Sequence, residues 1–304
     1  MAPELLCLGE PLLEFNQRQD GTYLPGHGGD TSNCAIAAAR QGASVGYVTH
    51  VGADTFGDSF INLWAEEGVD TKTVRQVKDA HTGVYFVTHG PDGHQFSYFR
   101  EGSASSRMGP ADLPVSALKS AKILHVSGIS QAISQTAADA IFEAIDIVRS
   151  AGGRVSYDTN LRLKLWPIAR ARAVTHAAMA MCDIALPGLD DARQLTGLDD
   201  PDAIADFYLD LGAETVALTL GEEGTLVATT EERRRIIGRR VKAVDATAAG
   251  DTFDGAFLAR ILAGDDPFEA ANYANAAAAL STQAYGAVVP MPRREAVLEF
   301  LLEC

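Results

Sequence analysis

The stretch Asp245–Arg260, DATAAGDTFDGAFLAR, sets small residues from Thr247 to Gly250 directly before a carboxylate, Asp251, and an apolar helical pattern follows. Backbone N–H groups at a helix N-terminus lack internal partners and carry positive potential. Small side chains let an anion approach them closely. Ala249, Gly250 and Asp251 therefore offer a cluster of donors to a phosphoryl group, and Asp251 stands beside it, able to take a proton from an attacking hydroxyl. Taken alone, the stretch more commonly marks an ordinary helix start, with Asp251 as N-cap and Gly250 as turn residue.

Other residues suggest an acceptor. SYFREGSA places Tyr98 and Arg100 two residues apart, on one face of an expected strand, and Tyr85 lies on the strand before it. SYDTNLRLKLWP puts Asn160 and Arg162 just past another expected strand, where α/β sheets bind ligands. A guanidinium matches a carboxylate bidentately, so two arginines point to an acidic acceptor, unless one faces nucleotide phosphates or both are solvent-facing ion pairs. The P-loop, dinucleotide and HExxH patterns do not occur, and the 7 histidines are scattered without metal-ligand spacing.

These residues need a frame. Leu5–Leu8, Ser44–Thr49, Ile123–Val126, Val155–Tyr157, Ile184–Leu186 and Val216–Thr219 are short apolar runs that predict buried strands. Between them SNCAIAAARQG, TAADAIFEAIDIVRSAGG, ARARAVTHAAMAM and DAIADFYLDLG carry helical spacing. Strand–helix alternation predicts an α/β fold with a mostly parallel sheet covered on both faces. Two segments break the rhythm: GVYFVTHGPDGHQFSYF reads as a hairpin around GPDG, and LLEFNQRQDGTYLPGHGG lacks helical periodicity. Paired, they make a small sheet that serves either as a lid excluding water from a reaction or as surface decoration.

At 304 residues with 47% hydrophobic content, the chain can bury a full core. A net charge of -15 argues against nucleic acid and anionic membrane surfaces as partners. Cys7, Cys34, Cys182 and Cys304 form no CxxC pair, no apolar run reaches membrane-spanning length, and the N-terminus lacks a basic leader, so the expectation is a cytoplasmic protein with free thiols.

GHGGDTSNCAIAAARQG and DATAAGDTFDGAF, in this order and separation, resemble the N-terminal glycine signature and the C-terminal catalytic signature of the PfkB, or ribokinase-like, family of sugar kinases. The resemblance spans essentially the whole chain. It implies one ribokinase-like α/β domain over residues 1–304, with a β-sheet lid drawn from about residues 12–28 and 77–102, and often a homodimer formed through the lids. It implies transfer of phosphate from ATP, with Mg²⁺ as cofactor, and raises a monovalent cation as a further one. Carried over, Asp251 is the general base, the N–H groups of Ala249 and Gly250 help form the anion hole, and Ala248 belongs to the same catalytic run. Ala248 stands where many members have glycine, which limits positive φ there. Gly28, Gly29, Asp30, Asn33, Tyr85, Tyr98, Arg100 and Arg162 fall to the acceptor, and Asn160, Thr219, Gly221, Gly224 and Gly250 to ATP. TLGEEGTLV, which holds the last of these, also reads as a simple β-turn. The family's NxxE element falls on GLDD, with Gly188 for Asn and Asp191 for Glu, so that only Asp191, acting through water, is left for the metal.

Within the family, GGDTSN, the Tyr85/Tyr98/Arg100 set, NLRLKLW and TAAGD look most like 2-keto-3-deoxygluconate kinases, which phosphorylate the terminal hydroxyl of a sugar acid. Fructokinases carry similar stretches and are the alternative. A non-catalytic sugar-binding regulator on the same scaffold would not need Asp251 and the AAG run.

Overall fold

The computed structural model describes residues 2–18, 20–90 and 93–303. Its strands, in chain order, are β1 Leu5–Leu8, β2 Leu12–Gln17, β3 Tyr23–Gly28, β4 Val45–Gly52, β5 Val74–Val77, β6 Val84–Gly90, β7 Gly93–Phe99, β8 Ile123–Ser127, β9 Arg154–Asp158, β10 Ile184–Leu186, β11 Thr215–Thr219, β12 Gly224–Thr229 and β13 Arg233–Ile237. Among the described residues, nine of them form one sheet in the order β13-β12-β11-β10-β9-β8-β1-β4-β5. Neighbours from β11 through β5 run parallel, and β12 and β13 are added antiparallel at one edge.

The sheet is apolar on both faces because helices cover both. On β1, Leu5 and Cys7 enter one core cluster while Leu6 and Leu8 enter the other, as the two-residue period of a strand requires. The first cluster takes the helices Asp30–Arg40, Ala249–Ala263 and Pro267–Ser281, and the second takes Gln135–Ser150 and Pro201–Leu211. Each fully buried leucine on this sheet contributes roughly 1.5–3 kcal/mol.

One helix pair determines where the chemistry sits. Helix Ala249–Ala263 packs on Asp30–Arg40 through Gly255, where a Cβ would lie 2.4 Å from the Cys34 carbonyl oxygen and 2.7 Å from the Ala37 Cβ. Glycine and alanine at this crossing let the two backbones approach. Side chains at the two N-termini can then meet at the C-terminal edge of the sheet.

The remaining strands make a second sheet in the order β3-β2-β6-β7. Two antiparallel hairpins, β2–β3 and β6–β7, join through the parallel pair β2–β6. The segment after β1 and the hairpin around GPDG thus pair. The turn residues Pro91 and Asp92 of that hairpin lie outside the described residues. Tyr85 and Tyr98 are register partners across β6–β7, so both side chains leave on one face. No described helix is long and apolar enough to cross a membrane.

Candidate active site

A cleft of about 730 Å³ lies at the carboxyl ends of β1, β9, β10 and β11 and runs beneath the small sheet. Its walls include Gly28, Gly29, Asp30, Asn33, Tyr85, Tyr98, Arg100, Asn160, Arg162, Thr219, Ala248, Ala249, Gly250, Asp251 and Asp191. Residues spread from position 28 to 251 are brought together there.

Asp251 is the third residue of helix Ala249–Ala263, and its Oδ2 accepts a hydrogen bond from Asn33 Nδ2 at 2.8 Å. Burial pushes its carboxyl up to about 7, the nearby Asp30 charge adds to the rise, and Asn33 and Arg162 act against it. A carboxylate poised near neutrality can both accept and release a proton at working pH. Of the helix-start N–H groups, that of Ala249 donates to the Ala246 carbonyl and that of Thr252 to Ala248. The expected pair of anion donors at Ala249 and Gly250 is thereby corrected: among the described residues the unpartnered donors are Gly250 and Asp251. Ala248, expected to resist positive φ, holds φ 60 in the left-handed region. An alanine there costs about 1–2 kcal/mol, which is the strain of bending the chain sharply into the helix beside Asp251.

Gly29 turns the chain at the other helix start, with φ 106 and a missing Cβ that would lie 2.5 Å from the Glu10 carbonyl oxygen. Only glycine satisfies both demands. Asp30 follows, buried, with Oδ1 accepting from the Thr31 N–H at 2.8 Å and Oδ2 accepting from Ser127 Oγ and, at 3.2 Å, from Asn160 Nδ2. Asn160, expected on the nucleotide side, therefore sits with the residues expected around the acceptor, and holds φ 29.

Four further acids went unnoticed in the sequence: Glu10, Glu14, Asp158 and Asp254. Asp158 ends β9, and Asp254 lies one helical turn beyond Asp251; both line the cleft. Burial pushes both carboxyls well above the usual range, and their mutual repulsion with Asp30 and Asp251 adds to it. The signal for Asp158 was available: a charge closing an otherwise apolar run, SYD. Nothing in the spacing marked Asp254.

Arg100 requires a correction. Its Nε donates to Glu10 Oε2 at 2.8 Å and a terminal nitrogen donates to the same oxygen, while Ser103 Oγ donates to Glu10 Oε1 at 2.7 Å. Glu10 is 1% exposed and Arg100 9%. The arginine lines the cleft with its charge already balanced, so it is not the free guanidinium that the sequence suggested. Arg162 is exposed; its one hydrogen bond among the described residues goes to the Leu161 carbonyl at 2.9 Å, and it forms no ion pair among them.

Among the residues expected at the nucleotide, Thr219 lines the cleft, and Gly188, which also lines it, bridges it as a neighbouring strand end. Gly221 and Gly224 do not line it. A Cβ at Gly224, φ 104, would lie 2.1 Å from the Ile236 carbonyl oxygen, so this glycine serves the β12–β13 crossing and follows the simple-turn reading of its stretch. Asp191 spends one carboxylate oxygen on the Leu161 N–H at 2.8 Å. No group of three or more ligating side chains among the described residues is arranged to hold a metal by itself.

The pfkB family carbohydrate kinase profile matches residues 4–294. The chain belongs to the pfkB family of carbohydrate kinases. It is 34% identical to a 2-dehydro-3-deoxygluconokinase of Thermoproteus tenax over 95% of this chain and 92% of that protein. It is 31% identical to fructokinase-2 of Solanum lycopersicum over 98% of this chain and 95% of that one. Its fold is similar to the crystal structure of a Vibrio cholerae O395 fructokinase in its fructose, ADP and calcium ion bound form, with a TM-score of 0.88, 28% identity and coverage of 98% and 99%. The pfkB fold, a large mostly parallel sheet flanked by helices with a small second sheet, is the ribokinase-like one that the sequence predicts. The chain is thus a sugar kinase of that family.

Proposed function

We propose that the chain transfers the terminal phosphoryl group of ATP to the terminal hydroxyl of 2-dehydro-3-deoxy-D-gluconate, and that the small sheet is its lid. The observation that carries the reading is Asp251 at about neutral pKa, hydrogen-bonded to Asn33, beside the unpartnered N–H groups at its own helix start. In this mechanism Asp251 takes the hydroxyl proton while Asn33 fixes the carboxylate's direction. The Gly250 and Asp251 N–H groups take up charge that develops on the transferring phosphoryl. Tyr85 and Tyr98 orient the acceptor's oxygens, and Asp30, held by Ser127 and Asn160, receives its hydroxyl donors. Closing of the lid would exclude water from the transfer.

Magnesium commonly enters such sites on the nucleotide's phosphates, taking only one or two carboxylates from the protein. The residues fit that mode: Asp191 keeps one carboxylate oxygen outside its hydrogen bond to Leu161, and no complete protein cage is built. When bound, the ion would neutralise phosphate charge.

A fructokinase is the second reading. The balanced Glu10–Arg100 pair favours it, because it removes one of the two positive charges that argued for an acid. A panel of ketodeoxygluconate, its galacto epimer, fructose and ribose, assayed for ADP release, separates the two. Preference for the sugar acid in kcat/KM supports the first reading, and preference for fructose replaces it with the second.

A further inference from the structure

The face of the small sheet that looks into the cleft is an aromatic shelf. Tyr85 and Tyr98 stack with centroids 5.6 Å apart, and Phe96 continues the shelf 6.3 Å from Tyr98. Two cations stand over it: the Arg100 guanidinium lies 5.7 Å from the Tyr98 centroid, and the Lys164 ammonium lies 5.7 Å from that of Phe96. Lys164 comes from the large body, on the segment after β9, so this contact spans the cleft from body to lid.

The three cations of the cleft wall differ in what neutralises them. Arg100 is paired with the buried Glu10. Arg162 lies in the field of Asp158, Asp191 and Asp251, whose carboxyls it pulls down. Lys164 forms no ion pair among the described residues and faces only a ring. Several acids line the same wall. Glu14 accepts the Tyr85 hydroxyl proton donor at the far side of the shelf from Phe96, and Asp30, Asp158 and Asp254 lie deeper. A carboxylate entering this cleft is repelled by its ionised acids and attracted to the ammonium at the Phe96 edge.

We propose that Lys164 is the residue that selects an anionic acceptor, its ammonium taking the acid's carboxylate at the cleft mouth. This rests on the sugar-acid reading. The contact orients the substrate as well: with the carboxylate at Lys164, the polyhydroxyl chain lies along the shelf, and its far end points inward to Asp251. A ring contact steers an ammonium without cancelling its charge, so Lys164 stays available.

The test compares wild type, Lys164→Met and Lys164→Arg on 2-dehydro-3-deoxygluconate and fructose at low and moderate salt. Lys164→Met should reduce the acid-to-fructose ratio of kcat/KM by about tenfold, mainly through KM, as expected for one charge-assisted contact at a partly solvated site. Lys164→Arg should keep most of the ratio, and added salt should raise the wild-type KM for the acid more than that of Lys164→Met. A wild type that turns over no sugar acid overturns the substrate reading and this inference together. A wild type that prefers the acid, with Lys164→Met keeping that preference or losing both sugars in equal proportion, overturns the role of Lys164 alone.

Discussion

Asn33 Nδ2 and Asp251 Oδ2 lie 2.8 Å apart, joining residues separated by 218 positions. The hydrogen bond favours the charged carboxylate, while burial and Asp30 disfavour it. Removing the bond should therefore raise the Asp251 pKa further. A hydrogen bond to a charged group contributes roughly 1.5–3 kcal/mol, so Asn33→Ala should move the acidic limb of the kcat/KM profile upward by about one pH unit or more. Profiles that coincide would remove Asn33 from the control of the base.

Asp251→Asn separates activity from stability. Loss of the general base should lower kcat by about two to four orders of magnitude. The folded pKa, about 7, lies above the ordinary carboxyl value of 3.8. The folded state therefore holds a proton that the unfolded chain has released, and stability falls as pH rises from about 4 to about 7. Above that window the ionised Asp251 burdens the fold, and asparagine relieves it. With allowance for the partial exposure of this side chain, the variant should gain about 1–2 kcal/mol at pH 8, read as a higher Tm, and little at pH 4. Equal Tm values at both pH values would show that Asp251 is not held against its charge.

Gly255 sits where the helices bearing Asn33 and Asp251 cross. Its added Cβ would meet the Cys34 carbonyl oxygen at 2.4 Å and the Ala38 nitrogen at 2.8 Å, both backbone atoms that yield only if a helix moves. Gly255→Ala should destabilise by about 1–3 kcal/mol through overpacking. Displacing Asp251 by a fraction of an ångström should also lower kcat more than it raises KM. A variant of reduced Tm with unchanged kcat would show that the crossing supports the fold without aiming the base.

What the sequence disclosed followed physical pattern. Leu5–Leu8 and Ile184–Leu186 were legible to the residue because continuous apolar runs have one use in a sheet covered on both faces. Strand β13 was not, because RRRII at the sheet edge carries outward arginines paired to Asp202, Asp206 and Glu232, and so resembles a solvated turn. In the cleft, Asp251 and Gly29 stood out because a small-residue run and paired glycines have a local cause. Glu10, Glu14 and Asp254 did not, because their meaning lies in partners 90 and 71 positions away for the first two, and in the neighbouring carboxylates Asp158, Asp251 and Asp30 for the third. The charge of Arg100 was hidden for the same reason: its balancing partner, Glu10, lies 90 positions away.

The Glu10–Arg100 pair changes how the acceptor's charge can be tested. Glu10 lies 1% exposed, bonded to Arg100 just past the end of β7, and its carboxyl is pushed up by burial and held down by Arg100 and Ser103. Arg100→Met would strand that carboxylate in the interior. Breaking one half of a buried pair typically costs about 3–5 kcal/mol, so the single variant should lose that stability and lose activity toward every sugar through a misplaced small sheet. Glu10→Gln with Arg100→Met should recover a large part of the Tm, because the uncompensated charge is gone. If Arg100 serves chiefly to anchor the small sheet, the double variant should also regain activity on acid and neutral sugars in similar proportion. Recovery confined to the neutral sugar would instead return Arg100 to the role of carboxylate ligand, acting through the terminal nitrogen that Glu10 leaves free.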